Sequence, residues 1–187
     1  MKSKLHTPAN YITIFRLLLT IFAFYLVLSE QKFYTGIAIL IIAPLDMLDG
    51  YIARKLKHSS DFGARLDSIG DYIGGILILY SLYIFEPEIF TDYIFITLTP
   101  IFIFLIYVFI CLLKHKNFYP IHNYSGKFAS AFFVIFTIYT LLFSFSFYFF
   151  LASALLYTLN CFDKILIILL DKNKPDLDTK SFLSILK

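Results

Sequence analysis

Four aspartates, Asp46, Asp49, Asp67 and Asp71, lie in the segment DMLDGYIARKLKHSSDFGARLDSIGD, between two long apolar stretches. At about 100° per residue, Asp46, Asp49, Gly50 and Ala53 share one face of a helix. Gly63, Asp67, Gly70, Asp71 and Gly74 share one face of the next. Eight residues separate Arg54 from Gly63, so the two helices are expected as antiparallel neighbours whose acidic faces meet. Glycines there let the backbones approach and leave room for a ligand. A single Asp at the centre of a bilayer costs roughly 2.5–3.5 kcal/mol, and four together also repel one another. Asp46 and Asp49 stand near a helix C-terminus, where the dipole disfavours anions. A bound cation offsets all of this. Oxygen ligands of this kind suit Mg2+ or Mn2+, as one ion or two, with positions left open for phosphate oxygens. Two other readings stay open. Salt bridges to Arg54, Lys55, Lys57 and Arg65 would need neither the glycines nor the shared faces. A transporter's cation pathway would not need Gly50, Ala53 and Arg54 at fixed spacing.

The elements that hold these residues read as membrane helices. The chain has 187 residues, 59% of them hydrophobic and 20% aromatic, with mean hydropathy +0.79. Apolar runs long enough to cross a ~30 Å hydrocarbon core recur along it. The pattern predicts an all-α integral membrane protein, a six-transmembrane-helix bundle in one domain over 1–187. The helices fall at roughly 10–29, 34–54, 62–85, 92–113, 127–144 and 147–170. The last two share one apolar run of about forty residues, too long for one span. Ser144 and Ser146 are its polar break. Lys2, Lys4, Arg54, Lys55, Lys57, Arg65, Lys114, Lys116, Lys127, Lys172 and Lys174 then fall on one side, and Lys32 on the other. The positive-inside bias places both termini and the acidic segment in the cytoplasm, in a multi-pass protein of the cell membrane.

Remaining features are read more plainly. Arg16 and Asn10 interrupt the first apolar stretch and no small-x-small site follows, which argues against a cleaved signal peptide. Cys111 and Cys161 read as small packing residues, with no disulfide framework or zinc spacing. His6, His58, His115 and His122 lack metal spacing and read as cytoplasmic loop residues. The tail PDLDTKSFLSILK either lies on the membrane surface through Phe182, Leu183 and Leu186 or is a frayed end. A net charge of +3 gives no reason to expect a nucleic-acid partner.

The pattern D-x-x-D-G-x-x-A-R, eight residues, G-x-x-x-D-x-x-x-D is filled here by Asp46, Asp49, Gly50, Ala53, Arg54, Gly63, Asp67 and Asp71. It resembles the signature of the CDP-alcohol phosphotransferase (CDP-alcohol phosphatidyltransferase) family, and small bacterial phosphatidylglycerophosphate synthase-like members in particular. The resemblance implies transfer of a phosphatidyl group from CDP-diacylglycerol to a small polar alcohol, with release of CMP. It implies that Asp46, Asp49 and Asp67 ligate a divalent metal, and that Asp71 joins them or acts as general base. Gly50, Ala53, Arg54 and Gly63 belong to the implied CDP site, with Arg54 near the diphosphate. A homodimer is also implied. The chemistry agrees: attack of a hydroxyl on a diphosphate needs charge neutralised on non-bridging oxygens and on the leaving CMP. A positive-inside anchor is the lesser alternative for Arg54.

Two further patches resemble the family. NYITIFR sets Asn10, Thr13 and Arg16 on broadly one face of the first helix; a cap and a snorkelling arginine would look the same. YSGKFAS sets Ser125, Gly126 and Lys127 at a helix start. A lysine there opposes the helix dipole, so an anion nearby is expected, and Lys127 with Arg16 is read as the acceptor side. Ordinary positive-inside charge is the other reading. Phosphatidylglycerophosphate synthases usually read LDPxADK around the third and fourth aspartates, whereas this chain reads LDSIGDYIGG. Serine after Asp67 is common in phosphatidylserine and inositol-phosphate synthases. Chain length and the Gly126–Lys127 pair favour glycerol 3-phosphate as acceptor, with serine, inositol phosphate or another alcohol as alternatives.

Overall fold

The structure, a computed structural model, describes residues 8–55, 61–117, 119, 121, 123–170 and 181; for 8–10, 46–47, 49–55 and 61–68 it describes the backbone alone. Seven helices and no strands are present among the described residues. They are α1 (Pro8–Leu28), α2 (Lys32–Lys55), α3 (Asp61–Phe85), the one-turn α4 (Glu88–Thr91), α5 (Ile94–His115), α6 (Tyr124–Leu142) and α7 (Phe147–Leu170). The six long ones match the expected helices within a few residues. The added α4 lies in the FEPEIFTD break. The chain leaves α6 after Leu142 and re-enters helix at Phe147, around the expected Ser144–Ser146 break. Four segments are long and apolar enough to cross a membrane: Tyr11–Leu28, Ile94–His115, Tyr124–Leu142 and Phe147–Leu170. Among the described residues, α2 and α3 contribute the shorter apolar stretches Lys32–Leu45 and Ile69–Phe85. The tail reading, apart from Ser181, and the positions of His6, His58 and His122 lie outside the described residues.

Local chemistry explains the ends. Pro8 opens α1, where its missing N–H has no intrahelical partner to lose. Glu30 closes α1 at φ 57°. Its N–H donates to Val27 O at 3.0 Å and that of Gln31 to Leu26 O at 2.9 Å, the two bonds of a Schellman cap. Lys116 ends α5 at φ 56°, donating its N–H to Leu112 O.

Two compact units result, Met1–Pro87 with Thr137–Phe145, and Glu88–Phe136 with Ser146–Lys187. In the first unit α1 packs on α2 and α3. α1 turns inward Thr13, Arg16, Thr20, Ala23 and Val27, all under 5% exposed. Their spacing of three and four residues marks one helical stripe, polar at its start and apolar at its end. Tyr11, Phe15, Leu18, Phe22 and Tyr25 cover the opposite face and are more than half exposed. Such a surface belongs in lipid. Lipid tails are as apolar as Leu, so close packing rather than hydrophobic burial must hold these helices together. Small residues at the contact serve that: Ala23, Ala38, Thr35 and Ser81 are buried. A Cβ on Gly36 would come within 2.8 Å of Leu142 Cδ2 and 3.0 Å of Leu141 Cβ. Lys32, at the start of α2, bonds Glu86, just past the end of α3, at 2.5 Å, so α2 and α3 run antiparallel.

In the second unit α5 packs on α7 around Tyr107, Cys111, Ile121, Ile167 and Ile168. The Tyr107 hydroxyl donates to Tyr119 O. Lys114 Nζ donates to Ile168 O at 2.8 Å and Leu169 O at 3.0 Å, placing a cation at the negative end of the α7 dipole. Cys111 and Cys161 are free and buried, consistent with packing. Rings of Phe132, Phe136, Phe149 and Phe150 pack with centroids 4.9–5.8 Å apart.

Candidate active site

The signature residues occupy the last three turns of α2 and the first three of α3. Asp46, Asp49, Gly50, Ala53 and Arg54 are helical, as are Gly63 and Asp67; their side chains lie outside the described residues. α2 and α3 are in contact and antiparallel, as expected of consecutive helices joined by a short connection. Among the four aspartates, Asp71 is the one whose side chain is described. Its carboxylate is 57% exposed and accepts a bond from Arg16 Nη1 at 3.0 Å, while Arg16 is 3% exposed. Gly70 makes the contact possible: a Cβ there would stand 2.5 Å from Arg16 Nη2. One turn on, a Cβ at Gly74 or Gly75 would meet nothing within 4 Å among the described residues. Thr20 Oγ1 donates to Arg16 O at 2.8 Å, filling the buried stripe below.

These features fit a hard divalent cation in chemistry. The one described donor, the Asp71 carboxylate, is a hard oxygen ligand that keeps access to solvent. The described residues hold no cluster of three His, Cys, Asp or Glu.

Lys127 sits in the first turn of α6, in the second unit, exposed, with Nζ 5.9 Å from the centroid of the Tyr124 ring. Around it lies a polar cluster that the sequence reading did not pick out. Asn123 caps α6, its Oδ1 accepting the Gly126 N–H at 3.2 Å. Asn123 Nδ2 donates to Ser125 Oγ at 2.8 Å and to Asp163 Oδ2 at 2.6 Å. The Ser125 hydroxyl has two acceptors in reach, Asp163 Oδ2 at 2.9 Å and Asn160 Oδ1 at 3.3 Å. The signal was present: Asn160, Asp163 and Lys164 interrupt an otherwise apolar span, where polar groups are expensive. The structure brings Arg16 to Asp71 in the first unit, and Ser125 and Gly126 to α7 in the second.

The fold is that of an all-helical protein with several apolar helices, two of which carry the acidic signature. The chain matches the profile of the CDP-alcohol phosphatidyltransferase family over residues 6–161, and it belongs to that family. It is 35% identical over 123 residues to a CDP-diacylglycerol–glycerol-3-phosphate 3-phosphatidyltransferase of Aquifex aeolicus, covering 66% of this chain and 68% of the relative. A protein of the same name from Wigglesworthia glossinidia brevipalpis is 39% identical over 88 residues, 42% and 48% of the two chains. A CDP-diacylglycerol–serine O-phosphatidyltransferase of Methanocaldococcus jannaschii is 38% identical over 81 residues, 43% and 37%. The chain thus matches about half or less of the length of the last two. No solved structure matches it significantly.

Proposed function

We propose that the protein transfers the phosphatidyl group of CDP-diacylglycerol to a hydroxyl of glycerol 3-phosphate. The acceptor oxygen bonds to the phosphorus carrying diacylglycerol, the bridging P–O bond breaks, and CMP leaves with the other phosphate. The acceptor hydroxyl's proton passes to a carboxylate, for which Asp71 is the candidate. The observation that carries the reading is the complete eight-residue signature on two contacting antiparallel helices, in a chain 35% identical to a glycerol-3-phosphate phosphatidyltransferase.

In this reading Asp46, Asp49, Asp67 and Asp71 hold Mg2+ or Mn2+. An ion held there would supply the positive charge that the diphosphate oxygens need. Arg54, with Gly50, Ala53 and Gly63, receives the CDP group. Lys127 holds the acceptor's phosphate, which a compact ammonium suits. Arg16 is assigned here to Asp71 rather than to the acceptor. α2 and α3 join the four long apolar helices to make six spans, with both termini and the acidic segment in the cytoplasm, in a homodimer.

Serine is the second reading for the acceptor, favoured by Ser68 after Asp67 and by the methanogen relative. A CMP-release assay with CDP-diacylglycerol and a panel of glycerol 3-phosphate, serine, inositol phosphate and inositol separates the two. Turnover with glycerol 3-phosphate alone is expected. Release of CMP with serine alone overturns the acceptor assignment, and no release with any alcohol overturns the reaction.

A further inference from the structure

The Asn123–Ser125–Asn160–Asp163 cluster has no assigned part in the reaction, and Asp163 lies beyond the residues 6–161 that match the family. Asn123 is 1% exposed and Asn160 5%. Capping a helix needs one side chain, and Asn123 supplies it. Yet α7, an apolar span, brings Asn160 and Asp163 to the same turn, and Ser125 bonds both. Gly126 is shaped to the same contact: a Cβ there would stand 2.8 Å from Asn123 Oδ1 and 3.0 Å from Asn160 Oδ1. A carboxylate at the start of α6 complements the positive end of its dipole and offsets Lys127, which opposes it. Four residues are therefore spent on one turn, and the next residue is Lys127.

We infer that Asn123, Asn160 and Asp163 are positioning residues. They lock the first turn of α6 onto α7 and so fix the direction in which Lys127 leaves the helix. This rests on the reading that Lys127 holds the anionic group of the acceptor. The competing role is plain helix-to-helix adhesion, which polar contacts also provide in membranes.

The test uses the full-length protein in detergent or vesicles, with two readouts. Kinetics come first, on Asp163→Ala, Gly126→Ala and Ser125→Ala, with Ser125→Thr keeping the hydroxyl. The KM for glycerol 3-phosphate should rise about tenfold, that for CDP-diacylglycerol should stay within about twofold, and Ser125→Thr should stay near wild type. In a Lys127→Ala background, Asp163→Ala should add almost nothing to the acceptor KM, because the lock acts through a lysine already gone. A further rise of similar size there, or lowered thermal stability with unchanged acceptor KM, overturns the inference. The second readout needs no turnover. A nitroxide on Lys127→Cys, with Cys111 and Cys161 replaced by Ala, should give an immobilised spectrum that sharpens on adding Asp163→Ala or Ser125→Ala. An unchanged line shape refutes the lock. If wild type releases no CMP with any acceptor while the line shape does change, the functional reading fails and the lock stands; the milder Ser125→Ala serves if Asp163→Ala does not fold.

Discussion

Asp71 and Arg16 meet in the buried stripe of α1, and each explains the other. A guanidinium 3% exposed must have partners, since an uncompensated buried charge costs several kcal/mol. Asp71 supplies one and keeps a face toward open space. If the four carboxylates act as a metal site, Asp→Asn at position 46, 49, 67 or 71 should lower kcat by at least a factor of ~10², as for a lost base or electrostatic stabiliser. EDTA should abolish turnover and Mg2+ or Mn2+ restore it. Full turnover in EDTA, or by Asp67→Asn, removes the metal from the mechanism. Lys127 gives a second residue-level prediction. A charged hydrogen bond to phosphate contributes roughly 1.5–3 kcal/mol, so Lys127→Ala should raise the KM for glycerol 3-phosphate by about one to two powers of ten. The KM for CDP-diacylglycerol should hardly move. Steady-state series with each substrate varied in turn decide it, and a loss confined to the CDP-lipid assigns Lys127 elsewhere.

At the level of the helix, the glycines divide into two kinds. Gly36 lies against Leu141 and Leu142 with no room for a Cβ. Gly36→Val should therefore destabilise by about 1–3 kcal/mol through overpacking, seen as a lower midpoint in thermal unfolding. Gly75 has no described neighbour within 4 Å of a Cβ, and replacing an unhindered helical glycine by alanine typically gains about 0.5–1 kcal/mol. Gly75→Ala should then unfold at the same temperature or higher. If it also loses activity, the space beside Asp71 is occupied by substrate during turnover. A destabilised Gly75→Ala would show that the side is filled.

For the whole molecule, the expectation is six membrane crossings, with α2 and α3 spanning beside the four long apolar helices. Single cysteines replacing Lys57 and Lys172 should react with an impermeant thiol reagent from the cytoplasmic side, and one replacing Glu88 from the opposite side. The segregation of Lys and Arg motivates this. Labelling at positions 57 and 88 from one side removes a crossing and reverses half of the topology.

Helix positions and the acidic motif were legible in the chain because both are local. Apolar runs announce spans, Ser144 and Ser146 announce a turn, and aspartates at helical spacing announce a shared face whatever surrounds them. The partner of Asp71 was not legible. Arg16 is 55 residues away, and the sequence pointed it at the acceptor. Nor was the reason for Gly70, which read as room for a ligand and is room for a guanidinium. The partners of Asp163 were hidden for the same cause: an acid in an apolar helix signals a polar contact but not with whom, and Asn123, the cap of α6, lies 40 residues away. Spacing along a helix is set by the backbone's own geometry, whereas which side chain fills the gap left by a missing Cβ is set only when two distant helices pack.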